Sequence, residues 1–284
     1  MSTAAQPKDM KLRQIKGPSA YEGNFKRFVY LTWTIAITEF RSHYFGSFLG
    51  PLWALVRPLM LFGVLYVVFT QVLRFGDSIP NYPAVLLLNI VLFQFFADST
   101  NTSLISVVQH ENVVRKMHFP RMVIPIATVL TMGFYLVQNL IAVSVFLVIS
   151  GVTPHLTWLL FPLVVLGFIV LASGFAMLLA SLFPRFRDLA QIWQVATTVL
   201  LYGSPILYTV TIAPPGAVKW LLYNPIGTLL TNARAWVIDP AAPSAASLMG
   251  GRVYLLIPIG ITLGIFALGL WTFNREAPGI AERL

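Results

Sequence analysis

Long apolar runs alternate with short polar segments along nearly the whole chain. A helix needs about 20 mostly apolar residues to cross the ~30 Å hydrocarbon core of a bilayer. Six segments are predicted to cross, at residues 48–73, 83–109, 122–150, 158–183, 189–208 and 253–273. The pattern predicts an all-α integral membrane protein with six transmembrane helices in a single domain, because little length remains outside them.

The second predicted span carries polar groups into the membrane. It is apolar only from Pro83 to Ala97, so a helix that crosses the bilayer has to continue through the polar residues that begin at Asp98. The spacing i, i+4, i+8 and i+11 puts four of them on one helix face: Asp98, Thr102, Ser106 and Gln109. Two interpretations stay open: the stripe lines a passage, or it forms hydrogen bonds between packed helices.

Two further segments are apolar in part without spanning. Residues 25–44 place Val29, Trp33, Ala36, Ile37, Phe40 and Tyr44 on one helix face, opposite Arg27, Thr34, Thr38 and Arg41. This predicts an interfacial helix that serves either as a membrane anchor or as a contact for another protein, with candidate residues Arg27, Trp33, Phe40 and Arg41. Residues 211–251 hold apolar pieces too short to cross, which predicts one or two short re-entrant or interfacial helices.

Charge gives the orientation. The chain is 57% hydrophobic and 10% charged, with a net charge of +9. Fourteen Lys and Arg residues fall on the side of the two termini, four fall on the other side, and Arg57 lies within the first span. Because Lys and Arg are retained in cytoplasmic loops, residues 1–46 and 274–284 are predicted to be cytoplasmic. The basic residues before Pro18 precede no apolar core, so they are not a signal peptide, and binding of nucleic acid is disfavoured.

Residues 110–121, with the sequence HENVVRKMHFPR, form a charged interruption between the second and third spans. The segment is too charged to enter lipid and too short to be a domain. Pro120 disfavours helical geometry at Phe119 and therefore marks an end. Since the segment falls on the cytoplasmic side, we expect it to contact another protein.

Arg57 and a group of aromatic residues are the candidates for a passage. Arg57 has three possible roles: it binds a lipid phosphate through its planar fork, it pairs with Asp98, or it extends to the headgroups. The aromatic candidates lie in spans one and five and are Trp53, Phe62, Tyr66, Phe69, Trp193 and Tyr202. Flat rings suit the apolar faces of sugars, although such residues also collect at membrane interfaces as anchors.

Signatures of catalysis are missing from the sequence. It has no GxxxxGK[ST] loop, no GxSxG elbow and no HExxH pair, and it has no cysteine. We therefore predict no catalytic or metal-binding residue. If ATP drives the protein, the ATP is hydrolysed by another chain. Two competing classes are disfavoured: a secondary transporter would show inverted repeats, and a membrane-embedded glycosyltransferase would need clustered acidic residues at the bilayer edge.

Three stretches carry a resemblance to a known family. They are GSFLGPLWALVRPL at residues 46–59, RKMHFPR about fifty residues later, and Asn224-Pro225 before the last span. Over residues 25–275 the chain resembles the transmembrane subunit of polysaccharide ABC exporters, the permeases for O-antigen, teichoic acid, capsule and related lipid-linked glycans.

The resemblance implies a homodimer in the bacterial cytoplasmic membrane, joined to two copies of a separate ATPase that binds ATP and Mg²⁺. Spans one and five would line the channel, and the interfacial helix would also contact the ATPase. A coupling helix would dock on the ATPase through Glu111, Asn112, Arg115, Lys116, His118 and Phe119. The implied activity is outward movement of a polyprenyl-pyrophosphate-linked glycan; a permease for another lipid or for a drug-like substrate is the alternative.

Overall fold

The computed structural model describes residues 25–42, 50–72, 74, 79–111 and 120–279, and these residues form helices and turns without any strand. The α-helices are α1 (Phe25–Ser42), α2 (Gly50–Tyr66), α3 (Tyr82–Gln109), α4 (Val123–Ile149), α5 (Phe161–Leu182), α6 (Leu189–Gly203), α7 (Pro215–Tyr223), α8 (Pro225–Ala233), α9 (Ala245–Met249) and α10 (Leu256–Glu276). Short 3₁₀ or π segments extend several of them. The all-α expectation is confirmed.

Five helices of the described residues are long and apolar enough to cross a membrane. They cover Trp53–Val72, Tyr82–Gln109, Val123–Ile149, Leu156–Leu182 and Arg252–Gly279. The first combines α2 with the π segment Val67–Val72, and the fourth and fifth include short 3₁₀ turns. These five helices coincide with predicted spans one to four and six, so the chain is a multi-pass membrane protein.

The helix within the predicted span at residues 189–208 is shorter than the span itself, because α6 ends at Gly203. Its 15 residues cover about 22 Å, which is less than the ~30 Å hydrocarbon core. The break lies at Ser204-Pro205, since proline has no N–H to donate and disfavours helix in the residue before it. The carbonyl groups freed beyond the break are bound by α3: Asn89 donates to Ile206 at 3.2 Å and Tyr82 donates to Leu207 at 2.7 Å.

Helix α3 lies at the centre of the fold. It packs against α2, α4, α5 and α6, and small side chains on it, Ser99, Thr100 and Ser103, are fully buried. Small residues let neighbouring helices approach closely in a membrane, and their hydroxyl groups bond across the contact. Ser103 donates to the Pro125 carbonyl of α4 at 3.3 Å. Much of the polar stretch of α3 is therefore part of the packing.

Helices α5 and α10 cross through glycines. A Cβ added at Gly269 would lie 2.2 Å from the Gly174 carbonyl oxygen, and one added at Gly174 would lie 2.8 Å from the Phe266 Cα. Only glycine allows backbones to approach so closely. This crossing fixes α10 against the core.

The amphipathic helix predicted near the N-terminus is α1, and its contact is with α4. Phe134 of α4 lies 5.5 Å from the Trp33 ring and 5.4 Å from the Phe40 ring, both edge-on. Thr131 of α4 donates to the α1 carboxylate of Glu39 at 3.1 Å. Val29 and Trp33 stay exposed, and Arg27 and Arg41 lie on the exposed side. Tyr44 lies outside the described residues.

The region predicted to hold one or two short helices contains α7, α8 and the five-residue α9. Asn224 begins α8 as a cap that accepts from the Ile226 amide at 3.0 Å, and Pro225 occupies the first turn, where it needs no donor. A Cβ at Gly227 would lie 2.1 Å from the Leu221 carbonyl oxygen, so the tight turn between α7 and α8 requires glycine. The following segment is held by Trp158, which donates to the Val237 carbonyl at 2.8 Å.

Candidate functional site

An ion pair joins α2 to α3 inside the predicted membrane region. Arg57 Nη1 lies 3.5 Å from Asp98 Oδ1, and the side chains are 71% and 35% exposed. Arg57 comes from the first half of α2, directly before Pro58, and Asp98 comes from the point where α3 turns from apolar to polar. Of the three roles considered for Arg57, pairing with Asp98 is the one that the structure contains.

Two cavities meet at this pair. A cavity of about 360 Å³ lies between α2, α3 and α4, and one of about 280 Å³ lies between α2, α3 and α6. Arg57, Gln94 and Asp98 line both. Further polar side chains are Thr102, Tyr135 and Asn139 in the first cavity, and Asn101, Gln194, Thr197 and Thr198 in the second. We call the two cavities together the polar cleft.

The polar cleft has hydrogen-bonding capacity left for a ligand. Guanidinium carries five N–H donors, and the contact with Asp98 at 3.5 Å engages only one nitrogen. The Gln94 Oε1 atom is buried and has no hydrogen-bond partner among the described residues. Buried polar atoms normally have a partner, so the cleft is suited to hydroxyl-rich or phosphate-bearing molecules that supply donors and acceptors.

The aromatic candidates divide into exposed and packed rings. Trp53 is 56% exposed and lines the polar cleft, and Tyr202 is 63% exposed on α6. Phe62 stacks on Tyr66 at 5.7 Å and meets Phe146 edge-on at 5.5 Å. Phe69 lies partly buried against the same core. The rings of Trp53 and Tyr202 are therefore accessible to a passing molecule.

Trp193 lies in the core. It is 8% exposed, packs 4.9 Å from the Phe175 ring and donates from Nε1 to the Thr100 hydroxyl of α3 at 3.0 Å. Its contacts join α6 to α3 and α5. The structure places it as a packing residue, and the α6 residues that line the cleft are Gln194, Thr197, Thr198 and Leu201 instead.

Sequence reasoning found four residues of the polar cleft, Trp53, Arg57, Asp98 and Thr102, and missed several others. The predicted stripe of Asp98, Thr102, Ser106 and Gln109 is split: the first two line the cleft, Ser106 donates to the Ser103 carbonyl at 2.7 Å, and Gln109 is exposed at the helix end. The stripe that does line the cleft is Gln94, Asp98 and Asn101, at i, i+4 and i+7. The sequence contains a signal for this stripe, because the polar Gln94 interrupts an apolar run.

The segment predicted to dock on an ATPase falls mostly outside the described residues, which exclude 112–119 and hence Asn112, Arg115, Lys116, His118 and Phe119. Glu111 is the last described residue before it. On its far side, Arg121 is buried and donates from Nη1 to the Ala277 carbonyl. The segment therefore begins and ends at positions fixed to the helical core.

His110 holds the N-terminal end of this segment against α1. Its Nδ1 lies 2.9 Å from the Ser106 carbonyl oxygen and its Nε2 lies 3.3 Å from Glu39 Oε1 of α1. Both partners are acceptors, so the doubly protonated imidazolium is the form that satisfies both contacts. The hydrogen bond to Glu39 raises the pKa of His110 above its usual value. The amphipathic helix α1 is thus joined by charge to the start of the predicted coupling segment.

Comparisons with known proteins decide the family. Residues 30–235 match the model of the ABC-2 type transporter. The chain belongs to the ABC-2 type transporter family. This assignment confirms the resemblance to ABC exporter permeases that the sequence motifs indicated.

The curated relatives share a common description. The O-antigen export system permease protein RfbA of Klebsiella pneumoniae is 31% identical over 248 residues, which cover 87% of this chain and 92% of the relative. The O-antigen export system permease protein RfbA of Myxococcus xanthus is 28% identical over 230 residues, which cover 80% and 88%. The similarity therefore extends over nearly the full length of both relatives.

Proposed function

We propose that this protein is the membrane-spanning subunit of an ATP-driven exporter that moves a lipid-linked polysaccharide, carried on polyprenyl pyrophosphate, outward across the bacterial cytoplasmic membrane. The observation that carries the proposal is the polar cleft. Polar groups are expensive inside a bilayer and mark pathways there, and the Arg57–Asp98 pair lies between two cavities. The description of the relatives as O-antigen export permeases supports a polysaccharide substrate.

A second copy of the chain would complete the passage. Arg57 is 71% exposed, as are many apolar residues on α2 and α6, among them Met60, Val64, Val195 and Val199. A face that combines an exposed charge with polar and apolar groups is poorly suited to lipid tails. We infer a homodimer in which the α2 and α6 faces of two protomers enclose the path, with Trp53 and Tyr202 available to sugar rings.

ATP hydrolysis would take place on a separate ATPase, with two copies per exporter and with ATP and Mg²⁺ bound there. The contacts proposed for it are residues 110–121 and the exposed side of α1. Support comes from the fixed ends of this segment, at His110 and Arg121, because a rigidly attached segment can transmit movement into α3 and α4. This arrangement requires both termini on the cytoplasmic side, as the Lys and Arg distribution predicts.

Depletion of the protein in its own cells tests the function. The expected result is accumulation of one lipid-linked polymer on the cytoplasmic side, identified by mass spectrometry of extracted lipids and by protection from external glycan-modifying enzymes. Accumulation of a lipid or drug-like molecule without a glycan would favour the alternative substrate. Continued export from vesicles without ATP would instead indicate a secondary transporter and would contradict the proposal.

Replacement of Glu111, Arg115 and Lys116 by alanine tests the coupling role. The variant should insert and assemble, while export falls to background and the ATPase activity no longer responds to the substrate. A control replaces two exposed charges on the other side of the protein, Lys219 and Arg74, and should keep coupling. Normal export by the first variant would disprove the docking role.

A further inference from the structure

A cavity of about 660 Å³ lies between the first halves of α5 and α10 and shares no lining residue with the polar cleft. Its walls are apolar side chains of the two helices, including Leu163, Leu166, Ile259 and Leu263. Leu229 and Trp236, from α8 and the segment after it, form the floor. We call this cavity the apolar wedge.

The glycine crossing explains why the apolar wedge exists. Helices α5 and α10 touch through Gly174 and Gly269 and leave a gap toward their N-terminal ends, where α8 contacts both. Gly167 lets α8 come close, since a Cβ there would lie 2.6 Å from Leu229 Cδ2. The gap is thus only partly filled by protein.

The wedge has the depth of one membrane leaflet. Its lining on α5 runs from Leu160 to Val170, which is about 15 Å at 1.5 Å per residue. Half of a ~30 Å hydrocarbon core is the same length. The groove therefore matches one acyl chain that lies along the helices.

Polar residues in the wall are turned toward the protein. Thr262 donates to the Pro258 carbonyl at 2.8 Å, and Thr228 donates to the Leu222 carbonyl. The side-chain oxygen Oδ1 of Asn232 accepts from the Ala245 amide at 3.0 Å. Each group has a partner within the protein. The surface that faces the cavity is mainly hydrocarbon, which suits an alkyl chain and offers little to a sugar.

A single positive charge stands at the rim. Arg252 lines the wedge and is exposed. Among the described residues, no carboxylate lies within 4 Å of its guanidinium. From residue 189 to residue 275 the sequence contains one acidic residue, Asp239, and it is paired with Arg234 at 4.0 Å. The rim is thus electropositive, and an anion is the complementary ligand.

We propose that the apolar wedge and Arg252 bind an anionic phospholipid, with one acyl chain between α5 and α10 and the phosphate at the Arg252 guanidinium. A second copy of the chain fits less well as the occupant. A two-fold contact through the wedge would bring Arg252 of each copy toward the other, and like charges in contact are repulsive. The proposal does not depend on the transported substrate, because the site is separate from the polar cleft.

Native mass spectrometry of the purified full-length protein tests the site with two probes, phosphatidylglycerol and a diacylglycerol with the same acyl chains. Phosphatidylglycerol should bind more tightly. Arg252→Gln should weaken its binding about tenfold, the equivalent of one charge-assisted hydrogen bond, and leave diacylglycerol binding unchanged. Lys219→Gln removes a charge from the same part of the chain outside the wedge and should change neither.

Ile259→Trp should fill the wedge and abolish binding of both probes. Ile261→Trp is its matched control, since Ile261 is an exposed isoleucine of the same helix that does not line the cavity. Unchanged phosphatidylglycerol affinity in Arg252→Gln, or unchanged binding of both probes in Ile259→Trp, would overturn the proposal. A shift of Ile259→Trp from dimer to monomer would overturn it too, because the wedge would then be an interface between copies. If Ile259→Trp fails to fold, the Arg252→Gln comparison still decides.

Discussion

Helices α5 and α10 pack against each other very differently from α2 and α3. The first pair meets through glycine backbones, with Gly269 so close to Gly174 that not even a methyl group fits. The second pair is joined by an exposed ion pair and is separated by two cavities. The comparison teaches that this fold holds one side of the chain rigidly and leaves space, charge and unsatisfied polar atoms on the other, where transport is proposed.

The largest effect is expected at the tight side. Gly269→Ala adds a Cβ 2.2 Å from the Gly174 carbonyl oxygen, so α10 has to move away from α5 at a cost of about 1–3 kcal/mol, the range typical of overpacking. The thermal unfolding midpoint of the purified protein should fall by several degrees. Gly264→Ala is the control, since a Cβ there meets nothing within 4 Å and alanine favours helix. Equal midpoints for the two variants would mean that the crossing is not tight.

The next effect is expected at the polar cleft and concerns transport more than stability. Arg57→Leu removes the donors that face the cavities, so export should fall about tenfold, as for one lost charge-assisted contact, while assembly with the ATPase and the unfolding midpoint stay near wild type. The exposed position of Arg57 is the reason for little change in stability. Measuring export and co-purification of the ATPase on the same preparations separates an effect on transport from an effect on assembly.

The double variant Arg57→Leu with Asp98→Leu distinguishes ligand binding from structural pairing. If the arginine only neutralises Asp98, removal of both charges should restore export. If it contacts the substrate, the double variant should remain as impaired as Arg57→Leu. Restoration would therefore contradict the proposed role of the cleft, although not the family.

Much of the fold follows from local rules, and much of the site does not. Five helices lie where the apolar runs are long enough, because crossing a bilayer requires about 20 apolar residues whatever surrounds them. The helix of the fifth predicted span does not continue through Ser204-Pro205, and proline is the local signal of this break. The break becomes stable through Tyr82 and Asn89, which lie more than 100 residues earlier in the chain.

The residues of the site depend on which helix face meets which neighbour. Pairing of Arg57 with Asp98 could be proposed from the sequence, because charges are rare in the spans and tend to find each other. Gln94 and Gln194 could not be assigned to the same cleft without the packing of α3 against α6. Trp193 shows the same limit in reverse: its ring type suggests a passage, but the Thr100 hydroxyl and the Phe175 ring hold it in the core.

The smallest effect is expected where α1 joins the rigid part, and it depends on pH. His110 faces Glu39 of α1, the uncharged Thr131 of α4 donates to the same carboxylate, and Glu111 is the next residue along the chain. The pKa of His110 is raised in the folded protein. The stabilisation is therefore fully present below the ordinary pKa of about 6.5 and is lost as the pH rises through the raised value.

Spin labels measure this contact directly, since the chain has no cysteine and one introduced at the exposed Thr38 of α1 carries the only label. Raising the pH from 6 to 9 should increase the mobility of the label. In His110→Leu the label should be mobile at both pH values, and a label at exposed Leu268 of α10 should not respond in either protein. Because the ion pair between His110 and Glu39 is partly exposed, it contributes less than about 1 kcal/mol to the free energy of this contact. A response that persists in His110→Leu would assign the pH dependence to another group and would contradict the proposed role of the ion pair.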